Sequence, residues 1–487
     1  MYLGIDIGTS AVKSVLVDQD GKVAAQASSA LTLQSPKPSW NEQRPDDWWD
    51  AVRLACRELS AAPGYRAVAA IGLSGQMHGA VCLDASLLPV RPAILWNDGR
   101  ADAECAAMLA DMPDIGDRAG VLPMPGFTAP KIRWLARAEP DVHARIRHVM
   151  LPKDYVRLKL SGDLATDVSD AAGTMWLDQR TRKWSGPLCD VSETPAAWLP
   201  PLFEGTEVTG RLSRDAAGEL GLRPGIAIAG GGGDGATGAI GIGAVNEGDA
   251  FISLGTSGQL FVATQDYRPQ PETLVHAFAH CIPDRWFQMA VLLNGASALG
   301  WWSAASKTPI EALLSELGPR RPQQVPLFLP YLSGERTPLN DPHIRGGFYG
   351  LTGNTDRAAM TQAVLDAIAY TFCDARDALA KAGTTVDSPA AIGGGARSDH
   401  LLQTISDALG SPLRRYRAAE NGPAYGAARL AMIASGGGNI DDVVTTPATD
   451  RQFTPDPAAA ESHSYRLGQF RSLYKALKPY ADGTDRG

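Results

Sequence analysis

One pattern occurs twice in this sequence, about half a chain apart. Near the start, a strand-like apolar run, Tyr2–Ile7, leads through Gly-Thr-Ser into a second run of alternating apolar residues, Val12–Asp18. The same order recurs over Ala250–Leu254 and Gln259–Thr264. Two strands joined by a glycine turn form a β-hairpin. The repeat therefore predicts a duplication, in which two related domains each present a glycine hairpin to a shared cleft.

Further glycine clusters follow strand-like runs at Gly230–Gly233 and Gly393–Gly395, and helix-length segments separate these junctions. That alternation is typical of an α/β protein. A polar stretch at Val245–Asp249 predicts the domain boundary. We therefore expect three regions: an N-terminal domain over residues 1–245, a C-terminal domain over 246–440 and a C-terminal helical extension over 441–487.

Apolar spacing predicts helices over 358–382 and 462–477, the second stopped by Pro479. Two other predicted helices, over 236–243 and from 422 onward, consist largely of small residues. Helices with small faces can approach closely, so we expect these two to cross and act as a hinge.

Composition excludes several classes of protein. The 487 residues carry 45 Lys and Arg against 53 Asp and Glu, a net charge of −8 that disfavours nucleic acid as a partner. The 6 cysteines lie far apart, without a Cys-x-x-Cys pair, which favours free thiols over disulfides or a zinc site. Neither a signal-like opening nor an 18-residue apolar run occurs, so we expect a cytoplasmic protein without a membrane partner.

The two hairpins predict a site for a polyphosphate. Glycine turns expose backbone N–H groups, and Thr9, Ser10 and Thr256 add hydroxyl donors. The sequence has no Gly-x-x-x-x-Gly-Lys-Ser/Thr motif, so a P-loop is excluded. Residues 233–238 match Gly-x-Gly-x-x-Gly, but the acidic residue required about 20 positions later is missing, which excludes a dinucleotide fold.

Two charged side chains lie beside the first hairpin. Asp6, at the predicted strand end, is suited to hold Mg²⁺ next to phosphate oxygens, largely through water. The alternative is an aspartate that only satisfies turn amides. Lys13, on the second strand of the hairpin, would reach a phosphate or else face solvent.

Asp234 follows four glycines at the carboxyl end of a predicted strand, where open α/β sheets bind ligands. A carboxylate in that place can accept the proton of a sugar hydroxyl as it attacks phosphorus. The alternative is an aspartate that caps the following helix. The residues alone leave both interpretations open.

Other polar groups follow strand-like runs. His78, in Gln-Met-His-Gly, is a candidate contact for a polar substrate or a structural histidine, and Trp96-Asn97 suits the face and hydroxyls of a sugar or a surface loop. The bare backbone of Gly394-Gly395 offers a surface for an adenine, with Asp399 near the nucleoside. Those glycines could equally serve helix–sheet packing.

As an ordered series, the motifs resemble the FGGY carbohydrate kinases, whose fold is a pair of duplicated actin/hexokinase-like (ribonuclease H-like) ATPase domains with an interdomain catalytic cleft. The resemblance covers about residues 1–480. It depends on these segments: Gly4–Ser10, Gly75–Gly79, Leu95–Arg100, Pro125–Lys131, Leu151–Tyr155, Ser169–Trp176, Gly230–Gly238, Ser253–Gly258, Leu332–Pro338, Gly346–Leu351 and Ile392–Ser398.

The resemblance implies ATP-dependent phosphorylation of D-xylulose to D-xylulose 5-phosphate in pentose catabolism, with ATP and Mg²⁺ bound. As the assembly we expect a homodimer. The resemblance implies a role for most candidates: Asp234 as general base, Met77 and His78 at the sugar, Asp6 at the metal, the hairpins with Thr9, Ser10, Gly255 and Thr256 at the phosphates, and Gly394, Gly395 and Asp399 at the adenosine. For Trp96 and Asn97 at the sugar and for Lys13 at a phosphate, the expectation comes from residue type and position alone.

One residue departs from the family pattern. Members that phosphorylate D-xylulose commonly have Asn after the catalytic aspartate, where this chain has Gly235. A missing amide leaves a sugar hydroxyl without a partner or makes room for another acceptor. Ribulose, xylitol and arabinitol are therefore alternative substrates, and an actin- or Hsp70-like ATPase without a sugar acceptor is the alternative from another class.

Overall fold

The computed structural model describes residues 1–318, 325–417 and 422–481. Strands of the first half are β1 (Tyr2–Ile7), β2 (Ala11–Val17), β3 (Val23–Ala30), β4 (Glu42–Gln43), β5 (Ala70–Gly75), β6 (Val81–Leu83), β7 (Ala93–Ile94), β8 (His148–Met150), β9 (Thr166–Asp167), β10 (Leu177–Asp178), β11 (Lys183–Trp184), β12 (Leu202–Phe203), β13 (Val208–Arg211), β14 (Ala227–Ala229) and β15 (Gly232–Gly233). Its helices are α1 (Pro45–Leu59), α2 (Asp102–Asp111), α3 (Ile115–Ala119), α4 (Thr128–Ala138), α5 (Pro140–His143), α6 (Pro152–Ser161), α7 (Val168–Ala172), α8 (Gly186–Val191), α9 (Arg214–Leu220) and α10 (Asp234–Ile242).

The second half contains the strands β16 (Ala250–Leu254), β17 (Gly258–Thr264), β18 (His276–Ala279), β19 (Trp286–Leu292), β20 (Leu327–Leu329), β21 (Gly347–Tyr349), β22 (Ala390–Ile392), β23 (Leu413–Tyr416) and β24 (Thr449–Phe453). Its helices are α11 (Ser297–Ala305), α12 (Ile310–Ser315), α13 (Arg357–Lys381), α14 (Asp399–Leu409), α15 (Gly422–Ala434), α16 (Ile440–Val443) and α17 (Pro457–Ala481).

The main sheets of the two halves have the same topology. The first has the order β3-β2-β1-β5-β14-β13, and the second has β19-β17-β16-β22-β23-β24 next to β18. In each, an antiparallel hairpin leads the sheet and two parallel strands follow. Parallel strands require crossover connections, which the helices supply. The predicted duplication and the α/β fold class are confirmed.

Glycine explains how a helix from late in the chain packs on the first sheet. A Cβ added to Gly4 of β1 would lie 1.9 Å from the Ala424 carbonyl oxygen, and one added to Gly72 of β5 would lie 1.8 Å from that of Ala427. Both oxygens belong to α15, so the helix approaches the strands more closely than any side chain would permit. A helix that follows the predicted boundary at 245–249 in sequence therefore packs on the sheet formed by residues that precede it.

The two small-residue helices cross at glycine, as the sequence predicts. A Cβ on Gly426 of α15 would lie 1.8 Å from the Thr237 carbonyl oxygen of α10. Ile240 of α10 belongs to the same buried cluster as Phe261 of the second sheet. Thus α15 packs on the first sheet, α10 contributes to a core that includes the second, and the two helices meet between them.

The longer helices agree with their predicted positions except at the ends. The helix predicted over 358–382 spans Arg357–Lys381, but the one predicted over 462–477 spans Pro457–Ala481. Pro479 is therefore not a stop; it lies within the last turn of α17, which continues to Ala481. The last six residues of the predicted C-terminal extension lie outside the described residues. No helix in the described ranges is long and apolar enough to cross a membrane.

Candidate active site

Three parallel strands of the first sheet bring several predicted residues to one edge. Asp6 at the end of β1 pairs in register with Ser74 of β5, and β15 runs parallel to the same stretch of β5. Met77 and His78 follow β5, and Asp234 follows β15. Because parallel strands share their carboxyl edge, residues far apart in sequence meet there.

Asp234 is half-buried at the first position of α10. Its Oδ1 accepts a hydrogen bond from the Gly235 N–H at 2.8 Å, and the N-cap of the helix is Gly233 rather than Asp234. Burial, and secondarily the negative charge of Asp6, raise the pKa of Asp234 to about 7. A carboxyl with a pKa near 7 can exchange protons at neutral pH, which suits a general base.

Asp6 is 8% exposed, and its Oδ1 has no hydrogen-bond partner among the described residues. Burial raises its pKa to about 6, while Ser74 and the charge of Lys13 oppose that change. Desolvated carboxylates gain most from a cation. An unpaired oxygen of this kind fits a magnesium-associated role, since magnesium is commonly bound by one or two carboxylates together with substrate phosphates and water.

The first hairpin is braced by side chains. The Thr9 hydroxyl donates to Gln76 Oε1 and accepts from Trp96 Nε1–H, both at 2.9 Å, and the Thr9 carbonyl accepts from Gln43 at 2.7 Å. The Thr9 hydroxyl proton is thus already used in the bond to Gln76, contrary to the prediction that this hydroxyl donates to a phosphate. Thr9 fixes Trp96, the predicted sugar-face residue, against the turn.

The remaining candidates of this hairpin are open to solvent. Ser10 is exposed at the turn, and Lys13 is exposed on β2 at the register position opposite Asp6. Asn97, next to Trp96, is half-buried, and its Oδ1 lacks a hydrogen-bond partner in the part of the chain that the structure describes.

His78 is fixed in a left-handed conformation, with φ of 70°. Its carbonyl accepts hydrogen bonds from Lys131 Nζ at 2.9 Å and the Thr128 hydroxyl at 3.1 Å. Its Nδ1 lies 2.6 Å from the Gly173 carbonyl oxygen, so Nδ1 carries the proton and Nε2 is left as an acceptor. Burial lowers the pKa of His78 to about 3, which keeps the ring neutral.

Glycines shape the floor beneath Met77. A Cβ on Gly233 would lie 2.8 Å from Met77 Cγ, and one on Gly173 would lie 2.9 Å from its Cε. By contrast, a Cβ on Gly235 would meet only Met289 Sδ, at 3.8 Å. The position after Asp234 therefore has room for a side chain that this sequence does not supply.

The second-half loops follow two adjacent parallel strands, β16 and β22. Backbone hydrogen bonds hold the first loop, since the Gly255 carbonyl accepts from Ala296 N–H at 2.8 Å and that of Thr256 from Gly295 N–H at 3.0 Å. The Thr256 side chain is exposed. The Thr256 side chain of this hairpin is thus open to solvent, whereas that of Thr9 in the first hairpin is hydrogen-bonded.

The glycines after β22 lie close to the same hairpin. A Cβ on Gly395 would lie 2.9 Å from Leu254 Cβ, whereas Gly394 is exposed. Asp399 begins α14, but its carboxylate is already paired with Arg415 at 2.7 Å and with Arg451. A nucleoside contact from Asp399 would compete with both guanidinium groups.

A buried ionic cluster, which the sequence reasoning missed, supports β15, the strand that leads to Asp234. Lys153 Nζ lies 2.5, 2.8 and 3.2 Å from carboxylate oxygens of Asp154, Asp167 and Asp170, and all four side chains are 0% exposed. Asp167 accepts from the Ser169 hydroxyl, whose oxygen in turn accepts from the Gly233 N–H at 3.2 Å. The sequence indicated this cluster only through the Leu151–Tyr155 and Ser169–Trp176 motifs, to which the sequence analysis assigns no function.

Comparisons with known proteins agree with this geometry. The FGGY family of carbohydrate kinases, N-terminal domain, matches residues 1–241, and its C-terminal domain matches residues 250–435. The xylulose kinase of Escherichia coli (strain K12) is 41% identical over 98% of this chain and 99% of its own length. That of Bacillus subtilis (strain 168) is 36% identical over 98% and 95%.

Solved structures give the same result. The crystal structure of a xyloylose kinase from Brucella ovis is 45% identical and superposes with a TM-score of 0.94, covering 98% of this chain and 99% of that one. Plasmodium falciparum glycerol kinase, at 20% identity, shares the fold with a TM-score of 0.86 over 97% of each chain. A carbohydrate kinase takes ATP and a sugar as its substrates. From both domain matches and these relatives, the chain belongs to the FGGY family of carbohydrate kinases.

Proposed function

We propose that this protein transfers the γ-phosphoryl group of ATP to D-xylulose, forming D-xylulose 5-phosphate. The observation that carries the proposal is Asp234, a half-buried carboxyl with a pKa near 7 at the sheet edge that also holds Met77 and His78. Relatives named xylulose kinase, similar over nearly the whole chain, support the choice of acceptor.

In the proposed reaction, Asp234 accepts the proton of the terminal sugar hydroxyl while the hydroxyl oxygen attacks phosphorus. His78 Nε2, the free nitrogen of a neutral ring, accepts a hydrogen bond from another hydroxyl. Trp96 and Asn97 line the sugar, since Trp96 is fixed by Thr9 and Asn97 has an unpaired oxygen.

Nucleotide binding is assigned to both halves. Backbone N–H groups of the first hairpin, with Ser10 and Lys13, and those of Gly255-Thr256 hold the phosphates, while Gly394-Gly395 supports the adenosine. Asp6 would hold Mg²⁺ through water. When bound, the ion neutralises charge on the β- and γ-phosphates.

The domain assignment follows from the same proposal. Residues 1–245 supply the base and sugar contacts, residues 246–440 the nucleotide site, and residues 441–487 an extension of the second half. A cytoplasmic location and a homodimer stay predictions of the sequence.

A coupled ADP-release assay over D-xylulose, D-ribulose, L-ribulose, xylitol and D-arabinitol tests the acceptor. We expect the highest kcat/KM with D-xylulose. A higher value with another sugar would instead identify that acceptor, in keeping with the space at Gly235. ATP turnover that no sugar stimulates would indicate an actin- or Hsp70-like ATPase and contradict the proposal.

The base is tested by Asp234→Asn, with the exposed Asp20→Asn as the matched control. Loss of a general base typically costs 10²- to 10⁴-fold in rate, so we expect kcat to fall by about that factor. Nucleotide affinity, measured by calorimetry, should change little. Near-normal turnover in Asp234→Asn would show that another group takes the proton.

A further inference from the structure

Arg336 belongs to a loop that is anchored on both sides of it to the second sheet. The Leu293 N–H donates to Glu335 Oε1 at 2.6 Å, and the Thr337 N–H donates to the Val291 carbonyl at 3.1 Å. Both partners lie at the end of β19, the strand beside β17. The backbone at Arg336 is therefore fixed relative to the hairpin that contains Thr256.

The Arg336 side chain nevertheless reaches the first half. Its Nη2 lies 3.9 Å from the position that a Cβ on Gly126 would occupy, and that position is 2.2 Å from the Trp96 carbonyl oxygen. Phe127, next in the chain, packs edge-on against His78 with ring centroids 4.5 Å apart. Arg336 belongs to the second half but lies beside Trp96 and the Phe127–His78 pair, which we call the sugar wall of the first half.

The negative charge of Glu335 acts on this guanidinium, but no described residue accepts a hydrogen bond from it. Arg336 is half-buried, and among the described residues its side chain makes no hydrogen bond or ion pair. Other arginines buried in the first half have partners: Arg100 pairs with Asp98 at 2.7 Å, and Arg157 donates to the Ala229 carbonyl at 2.9 Å. The five N–H donors of Arg336 are therefore available to a ligand with acceptor oxygens.

A neighbouring histidine is equally unmatched. His276 is 1% exposed, and within the described ranges neither ring nitrogen has a hydrogen-bond partner. Its ring centroid lies 5.6 Å from that of Phe127. The charge of Arg336 contributes to lowering the pKa of both His276 and His78, whereas the charge that raises the pKa of Asp234 comes from Asp6. Arg336 therefore belongs to the His78 side of the site rather than to the Asp234 side.

We propose that Arg336 binds an oxygen of the sugar at the end remote from the phosphorylated hydroxyl, so that the acceptor is held from both halves. The proposal rests on the function proposed above. For a 2-ketose, that remote end contains the carbonyl oxygen. A guanidinium only donates hydrogen bonds and a carbonyl only accepts them, so this contact favours a ketose over the matching pentitol, whose hydroxyl proton needs a further acceptor.

Arg336→Met and Arg336→Lys test the proposal, with the exposed Arg345→Met of the same loop region as the control. Hydrogen bonds from charged groups correspond to about 10- to 100-fold in affinity, so we expect Arg336→Met to raise KM for D-xylulose by that factor. KM for ATP should stay within about 2-fold, and the preference for D-xylulose over xylitol should narrow. Arg336→Lys keeps the charge but not the planar fork, and we expect an intermediate KM.

The outcomes separate this proposal from the proposed function. An unchanged sugar KM in Arg336→Met, or a rise confined to KM for ATP, would overturn the role of Arg336 even where the wild-type enzyme phosphorylates D-xylulose. A wild-type enzyme that prefers another acceptor would overturn the proposed function, and the variants would then be measured on that acceptor. If Arg336→Met fails to fold, as judged by circular dichroism, Arg336→Lys gives the deciding KM.

Discussion

The pH dependence of the reaction follows from the environment of Asp234. Burial and the nearby Asp6 carboxylate raise its pKa to about 7 in the ligand-free protein. A general base works only when ionised, so its activity increases with pH. With a pKa near 7, the ionised fraction rises from about one-tenth at pH 6 to about nine-tenths at pH 8. We therefore expect kcat/KM to increase about tenfold over this interval.

Replacing Asp6 by Asn separates the two causes of the raised pKa. The substitution removes a negative charge from beside Asp234, so the pKa of Asp234 should fall and the acid limb of the profile should move to lower pH. Because Asp6 is also the proposed magnesium-associated residue, the absolute rate should fall as well. The interaction between Asp6 and Asp234 is therefore measured by the pH at the midpoint of the acid limb, and not by the absolute rate.

The assay is ADP release with sugar and MgATP both far below saturation, between pH 5.5 and 8.5 at constant ionic strength, because kcat/KM then reports the free enzyme. Asp20→Asn, exposed and remote from the charge pair in sequence, should keep the wild-type midpoint. A profile that is flat between pH 6 and pH 8 would refute the assignment of the base. An unmoved midpoint in Asp6→Asn would refute the electrostatic coupling.

Three further predictions concern packing. Gly235→Asn should fold with a melting temperature within about 2 °C of wild type, since a Cβ at this position meets only one sulfur atom. The added amide should lower KM for D-xylulose. An unchanged sugar KM would contradict a role in sugar binding for the space beside Gly235. Gly426→Ala should lower the free energy of unfolding by about 1–3 kcal/mol because its Cβ would collide with the Thr237 carbonyl, whereas Gly468→Ala, in an open helix position, should raise it by about 0.5–1 kcal/mol; equal effects in denaturant unfolding would contradict the close crossing. Lys153→Met leaves buried carboxylates unpaired and should cost about 3–5 kcal/mol, against less than about 1 kcal/mol for the surface variant Lys159→Met; equal losses would contradict the importance of the cluster.

The sequence predicts the fold well because its strongest signals are local. Each hairpin has alternating apolar residues on both sides of a glycine turn, so the strands and their pairing follow from a short segment. What local pattern could not predict is the docking of α15 on the first sheet. That contact joins Gly72 to Ala427, and only the folded backbone reveals why both residues are small.

The same distinction holds for the site. Asp6 lies at the carboxyl end of a strand, and His78 and Asp234 follow two others. The rule that parallel strands share their carboxyl edge is enough to bring the three residues together. The sequence could not show what Thr9 and Asp399 contact, because their partners are far away along the chain. Gln76 and Trp96 bind the Thr9 hydroxyl, and two arginines pair with Asp399. Arg336 was missed for the same reason, since nothing in a loop sequence indicates which wall its side chain will reach.

The helix crossing also explains how one carboxylate can serve both halves. Asp234 begins α10, while Ile240 at the other end of that helix shares a core with Phe261 of the second sheet. The contact of Gly426 with Thr237 is backbone against backbone, and beside it the Arg429 side chain of α15 donates to the Ile240 carbonyl at 2.9 Å. The hinge that the sequence predicts at this crossing would bring the second-half loops and Arg336 toward Asp234. A sugar bound by both halves would stabilise the closed arrangement. Closure would then exclude water, which competes with the sugar as acceptor of the phosphoryl group, at the moment when Asp234 is in place.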